Sequence, residues 1–129
     1  MSTQIFIPGH VPSSKNSRIF SVKMKRSFPS KSTQDYIRTS KMHWMLNKKT
    51  FLNLLKNKSK PYLVEMHFVR KSKHQWDFHN AVQVVCDLMT EFGYLDDDNT
   101  DEMFPVPFKI NNTYYSYNKD TPGVYIQIG

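Results

Sequence analysis

The stretch WDFHNAVQVVCDLMTEFGYLDDDN, Trp76 to Asn99, decides how this chain is read. At 100° per residue, Phe78, Ala81, Val82, Val84, Val85, Leu88, Met89 and Phe92 fall on one broad apolar face, which predicts a helix over 77–92 lying on a sheet. Asp77 stands at the N-cap position and Gly93 is the natural C-cap. Opposite the apolar face, His79, Gln83 and Asp87 follow one another at i, i+4 and i+8 as a polar stripe, with Asn80 beside them. The helix start therefore presents Asp77, His79, Asn80 and Gln83 together. A second source of carboxylates, Asp96-Asp97-Asp98, follows the helix stop and would have to fold back beside the first turn to join them.

Working outward, the remaining segments predict an α+β chain. Thr3 to Ile7 reads as a strand stopped by Pro8-Gly9, and Ile19 to Met24 as a short β-like run interleaved with Lys and Arg. From Ser32 to Asn57 the apolar residues recur at spacings of three and four after the start signal Ser32-Thr33, which predicts a core-packing helix with a basic outer face. Tyr62 to Val69 alternates as a strand, and Arg70 to His74 is a basic loop. Behind the Asp96–Asp98 turn come β-like runs at Met103 to Ile110, Thr113 to Tyr117 and Val124 to Ile128, the last opened by Thr121-Pro122-Gly123. With 129 residues and 15.3 kDa, the expectation is one small domain over 1–129, a mixed β-sheet packed by two main helices.

The charges are unevenly distributed. The formal net charge is +7, and 16 of the 18 Lys and Arg lie in residues 15–73, where Asp35 and Glu65 are the only acids. Eight of the 11 acids fall between Asp77 and Glu102. A basic field around an acidic focus suits a protein that attracts a polyanion and holds a cation against it; a solvated basic surface beside an acidic loop is the plain alternative. Cys86 is the only cysteine, so no internal disulfide forms and a reducing compartment is expected. The N-terminal residues do not read as a signal peptide, and no run of about 18 apolar residues exists, so a cytoplasmic chain with no membrane association is expected.

Each acidic piece has an ordinary explanation: a helix cap for Asp77, an exposed polar face for His79, a self-bonded turn for the three Asp. In combination they point to a divalent cation, because Mg²⁺ takes oxygen ligands, favours one or two carboxylates and keeps positions open for phosphate and water. Carboxylates from two elements within a basic protein are what metal-assisted phosphodiester hydrolysis needs.

The run Asp77-x-x-Asn80-x-x-Gln83-x-x-x-Asp87-Leu88, followed by Gly93-Tyr94-Leu95-Asp96-Asp97-Asp98, resembles the RusA-type Holliday junction resolvases. Their hallmark is Asp-x-Asp-Asn-x-x-Lys at a helix start, an Asp-x-Leu further along, then a Gly and a closing Asp-Asp pair. The likeness extends to Gly9-x-x-Pro12-x-x-Lys15-Asn16-x-Arg18 in the first loop and to Pro122-Gly123-Val124-x-Ile126-x-Ile128 in the last strand. It implies an α+β subunit that forms a homodimer and cuts four-way DNA junctions with Mg²⁺ in DNA recombination and repair. The family is frequent in phages and prophages, so a bacterial cytoplasm is the implied setting.

Residue by residue, the resemblance puts the first metal-binding Asp on Asp77, the following Asn on Asn80, and the last Asp of the closing pair on Asp98, with Asp97 its neighbour. Two positions depart: His79 stands where the family has a second metal Asp, and Gln83 where it has an essential Lys. A neutral imidazole ligates a divalent ion without supplying negative charge and suits Mn²⁺ better than Mg²⁺. Gln in place of Lys removes a point charge, although the amide still donates a hydrogen bond. The candidate catalytic set is thus Asp77, His79, Gln83 and Asp98, and the candidate metal set Asp77, His79, Asp97 and Asp98, with Mg²⁺ or Mn²⁺ as cofactor.

DNA contact is expected from Lys15, Asn16 and Arg18 in the first loop, Lys23, Lys25 and Arg26 in the second run, and Arg70, Lys71 and Lys73 before the acidic helix. Phe20, Phe28 and Trp76 are the neighbouring aromatics, each serving either to stack on bases or to fill the core. The expected function is a dimeric, metal-dependent, structure-selective endonuclease acting on branched DNA. The alternatives are a junction-binding protein on the same fold that no longer cleaves, and an interaction protein whose basic surface meets an acidic partner.

Overall fold

Both predicted helices form, and each begins at a side-chain cap. The computed structural model describes residues 3–13, 18–21 and 26–129, the strand residues among 18–29 by their backbone alone. The elements run β1 (Ile5–Pro8), β2 (Arg18–Ser21), β3 (Arg26–Pro29), α1 (Lys31–Leu54), β4 (Tyr62–Arg70), α2 (Phe78–Glu91), β5 (Met103–Pro107), β6 (Tyr115–Tyr117) and β7 (Gly123–Ile128). They make a single small domain of mixed α/β content. The run expected over Ile19 to Met24 is instead an antiparallel hairpin of β2 with β3, Arg18 opposite Pro29; Met24 lies outside the described residues.

The main sheet has the order β1-β7-β4-β5, with β6 also on β4. β7 pairs antiparallel with both β1 and β4, whereas β5 and β6 both run parallel to β4. A parallel neighbour requires a crossover, and α2 supplies it between β4 and β5. Along β4 the pleat sends Val64, Met66 and Phe68 to one face, where they meet Ile5 and Ile7 of β1, Val124 and Ile126 of β7, and the buried residues of both helices in one core. Arg70 continues that alternation and so enters the helix side of the sheet at its end, 5% exposed.

α1 starts two residues earlier than Ser32-Thr33 suggests, because Ser30 is the cap: its Oγ accepts from the Thr33 backbone N–H at 3.4 Å. The helix buries Tyr36, Trp44 and Phe51, but Met42, Met45 and Leu46 are exposed, so its outer face is partly apolar and not simply basic.

α2 buries Ala81, Val82, Val84, Val85, Cys86, Leu88 and Met89, the face its periodicity predicts. It ends at Gly93, φ 78°, where Tyr94 N–H reaches the Met89 carbonyl (2.8 Å) and Gly93 N–H that of Thr90 (3.1 Å). That double closure favours glycine at the left-handed position. It swings Tyr94 back into the core, edge-on to Trp44 with ring centres 5.4 Å apart, its hydroxyl donating to the Trp44 carbonyl.

The edge of the sheet beyond β5 is an excursion held by one buried histidine. His67, fully buried on β4, has Nδ1 3.0 Å from the Phe108 carbonyl and Nε2 2.7 Å from Ser116 Oγ. A carbonyl only accepts, so Nδ1 carries a proton, while the Ser116 hydroxyl is able to donate to Nε2 or accept from it. Between these anchors the chain turns at Asn111 and Asn112, φ 53° and 67°, closed by reciprocal Ile110–Thr113 bonds of 3.0 and 3.2 Å. Two consecutive left-handed residues make the tight hairpin turn that asparagine tolerates best.

Candidate functional site

The start of α2 is fixed by short-range bonds. Asp77 is the N-cap, its Oδ1 accepting from His79 N–H at 2.9 Å, which occupies one carboxylate oxygen in closing its own helix. His79 is exposed. Asn80, half-buried, donates from Nδ2 to the Ser13 carbonyl at 3.1 Å and ties α2 to the first loop.

That loop is held a second time by Arg70. Its Nη1 donates to the Val11 carbonyl at 2.6 Å, Nη2 donates to Ser13 Oγ at 2.9 Å and lies 3.3 Å from His10 Nε2, and Cζ stands 4.7 Å over the Trp76 ring. Burial lowers the guanidinium to a pKa of about 10, still protonated at neutral pH. His10 is pushed down to about 4, first by burial and then by the Arg70 and Lys71 charges, so its ring is neutral. Its Nδ1 is also 3.3 Å from Lys71 N–H; a neutral ring accepts at one nitrogen only, so one of these two contacts is not a hydrogen bond. His10, Ser13, Asp35, Arg70 and Lys71 line a cleft of about 470 Å³.

The far end of α2 holds the remaining candidates. Gln83 points along the helix to Asp87, Nε2 to Oδ1 2.8 Å, and not back to Asp77. Asp96 pairs with Lys60 at 3.1 Å, and Lys60 also bonds the buried Glu102 at 2.8 Å, so the first of the three aspartates is in an ion-pair network. Those bonds, to Glu102 foremost and then to Asp96, raise the Lys60 pKa. Asp97 bonds its own turn: Oδ1 accepts from Asp98 N–H at 2.8 Å and Oδ2 from Asn99 Nδ2 at 3.2 Å. Asp98 is exposed. Burial, and then the charges of Asp98 and Asp87, push the Cys86 thiol up to about 12. Cys86 lies nine residues, about 13 Å of helix rise, from Asp77.

Asp77, His79 and Asn80 thus share the start of α2, Asp87 bonds Gln83 further along it, and Asp97 and Asp98 lie in the turn that follows Gly93. Among the described residues no group of three or more His, Cys, Asp or Glu is placed to hold a metal ion. Asp77 with His79 gives two donors of mixed kind, and that does not fit a Mg²⁺ cage within a single subunit.

Of the expected DNA contacts, Lys71 and Lys73 are exposed at the sheet end. Arg70 is not a surface cation: it is buried and engaged by the first loop and Trp76. Lys15, Asn16, Lys23 and Lys25 lie outside the described residues, as do the side chains of Arg18, Phe20, Arg26 and Phe28. Trp76 is half-buried against Phe68, Phe78 and Tyr115, at ring distances of 5.5, 6.3 and 5.3 Å.

Sequence reading passed over Lys109, Tyr114, Tyr115 and Tyr117 by treating 113–117 as an ordinary strand. The three tyrosines are 55%, 53% and 45% exposed, and Lys73 and Lys109 stand over two of the rings. The signal was there in Tyr114-Tyr115-Ser116-Tyr117 after a double asparagine, since three aromatics in four residues cannot all face a core from one edge strand. No helix among the described residues is long and apolar enough to cross a membrane. No protein-family model matches the chain, and no curated protein matches it in sequence.

Proposed function

We propose that this chain is a RusA-like, structure-selective endonuclease of branched DNA whose metal site is completed by a second copy of the subunit. The observation that carries the reading is the division of the acidic residues between the two ends of α2. Asp77 and His79 stand at its start, Asp96 to Asp98 follow its other end, and the polar stripe from His79 to Asp87 is exposed between them. A two-fold pairing in which α2 of one subunit runs against α2 of the other brings Asp98 of each copy to Asp77 of its neighbour. Three donors, Asp77, His79 and Asp98, then face one position, with Asp97 next in line.

A divalent ion held by Asp77, His79 and Asp98 would supply Lewis-acid charge to a phosphodiester oxygen and to an attacking water. The residues of the chain position the substrate: Lys71 and Lys73 sit one short segment upstream of Asp77, where they attract phosphates and offset the repulsion of the neighbouring carboxylates.

A second reading is favoured by a different observation. Gln83 bonds Asp87, and the stripe carries no lysine or arginine, so the subunit is also suited to bind junctions without cutting them. One experiment separates the two: cleavage of a labelled four-way junction, against linear duplex of the same sequence, in Mg²⁺ and in Mn²⁺, with Asp77→Asn as control. Junction-selective nicking lost in the control supports the nuclease, and nicking in Mn²⁺ alone assigns His79 as a ligand. Tight junction binding with no nicking in either metal supports the binder.

A further inference from the structure

Two adjoining clefts lie between the 72–78 segment and the Lys109–Tyr117 excursion, of about 650 and 430 Å³, and they share Lys73, His74, Tyr114 and Tyr115. Their walls are aromatic and basic. Trp76 and Phe78 close one side, the exposed tyrosines the other. Lys73 Nζ stands 5.5 Å over the Tyr117 ring and Lys109 Nζ 5.2 Å over Tyr114, while neither cleft is lined by Asp or Glu. Three tyrosines within four residues, each about half exposed, are not what the fold itself calls for, since their burial would be favourable and none is needed in the core. They are also rigidly presented: the Asn111–Asn112 turn, the β6 pairing with Phe68–Arg70 and the two bonds of His67 fix the backbone on either side.

We propose that this double cleft is a stacking site for the bases of an unpaired DNA strand. Every base has a π-face that an exposed aromatic ring can take, and ammonium groups over the rings put positive charge where the linking phosphates pass. A folded protein partner would bring its own acidic side chains but has no repeating flat group to match a row of rings. The proposal rests on the branched-DNA reading and sharpens it: the cleft opens beside Phe78 and Trp76, at the Asp77 end of α2, so a strand unpaired at a branch point is held next to the acidic residues.

The test is binding of a short fluorescein-labelled oligothymidylate, followed by anisotropy at low salt, beside a blunt duplex and a four-way junction. Trp44 is fully buried, so quenching of tryptophan emission by the oligonucleotide reports on Trp76. Tyr114→Ala and Tyr117→Ala are each expected to weaken the oligothymidylate by about ten-fold or more, whereas Tyr114→Phe and Tyr117→Phe, which keep the ring, bind as the parent. Lys73→Ala lowers the salt slope by about one. All these side chains are exposed, so unchanged thermal unfolding of each variant is the check on folding. Junction binding without oligothymidylate binding, or equal affinity in the alanine variants, overturns the cleft and leaves the junction reading standing. Failure to bind either DNA overturns both.

Discussion

The two ends of α2 carry the same kind of side chain and put it to different use. At the start, Asp77 caps its own helix, and the surrounding first loop is anchored by Asn80 and by the buried Arg70 guanidinium under Trp76. At the far end, Asp96 is neutralised by Lys60, Asp97 bonds the next turn, and of the three only the Asp98 carboxylate takes no hydrogen bond or ion pair among the described residues. The comparison teaches that a run of acids is not one site. What each carboxylate can still do depends on which lone pairs its own backbone has taken.

The largest effect should come from joining the ends across subunits. Asp77→Asn and Asp98→Asn are each expected to lower junction cleavage by about 10³-fold or more, the scale of the several kcal/mol that a bound cation contributes to a phosphoryl transition state. Fold stability should scarcely change for the first, because asparagine caps a helix as well as aspartate does. Mixing the two inactive variants is the sharper measurement. If each site takes Asp77 from one subunit and Asp98 from the other, a mixed dimer keeps one intact site and nicking returns. If both residues serve one site within a chain, the mixture stays inactive and the division between the ends is broken as a functional idea.

The next effect concerns what anchors the Asp77 end. Arg70→Leu removes a 2.6 Å bond to the Val11 carbonyl and a 2.9 Å bond to Ser13, and leaves the carbonyl without its donor. A loss of about 2–4 kcal/mol in urea unfolding is expected for a buried charged donor of this kind. Arg70→Lys should fall between, because an ammonium keeps the charge but cannot fork to both acceptors or stack on Trp76. Were both variants as stable as the parent, the first loop would be held by Asn80 alone.

The far end is closed by backbone. Gly93 takes φ 78°, and an added Cβ meets Lys48 Nζ at 2.8 Å, the free end of a flexible side chain that can swing away. The conformational cost therefore dominates, and Gly93→Ala should destabilise by about 1 kcal/mol with no effect on DNA binding.

Much of this was legible in the chain. The apolar face of α2 and its Gly93 stop follow from a 3.6-residue period and one residue without a Cβ, both local properties. Ser30 is not singled out by sequence as the cap of α1 because Ser30, Ser32 and Thr33 are all able caps, and only the bond from Thr33 N–H to Ser30 Oγ distinguishes them. Arg70 read as a surface cation since a basic run before an acidic helix resembles a loop; its burial follows from β4 continuing one residue further, so that the pleat turns it inward. Whether Asp98 reaches Asp77 was not legible at all, because it depends on where the chain returns after a helix of 14 residues, and the return is set by Met103 pairing with Tyr62 at the opposite end of β4. The tyrosine cleft was hidden for a similar reason: it needs Lys73 and Tyr117, 44 positions apart, to meet at one sheet edge.

The smallest effect is a slope in pH and tests the Asp77 end without touching an acid. His10 has its folded pKa lowered from 6.5 to about 4 by burial, then by Arg70 and Lys71. Below pH 6.5 the unfolded chain takes up a proton at His10 that the folded chain refuses. The folded state is therefore at full advantage from this group above pH 6.5 and loses it as pH falls towards 4. The ring is partly solvated and Asp35 lines the same cleft, so screening keeps the effect below about 1 kcal/mol. His10→Gln should remove that part of the slope: the parent and variant unfolding midpoints run parallel above pH 6.5 and converge or cross between 6.5 and 4. Parallel curves throughout would mean that the folded chain takes up the His10 proton as readily as the unfolded one below pH 6.5, despite the two cations facing the ring. Arg70 would then have to hold a charged neighbour at 3.3 Å, and its bonds to Val11 and Ser13 would no longer account for the order of the loop.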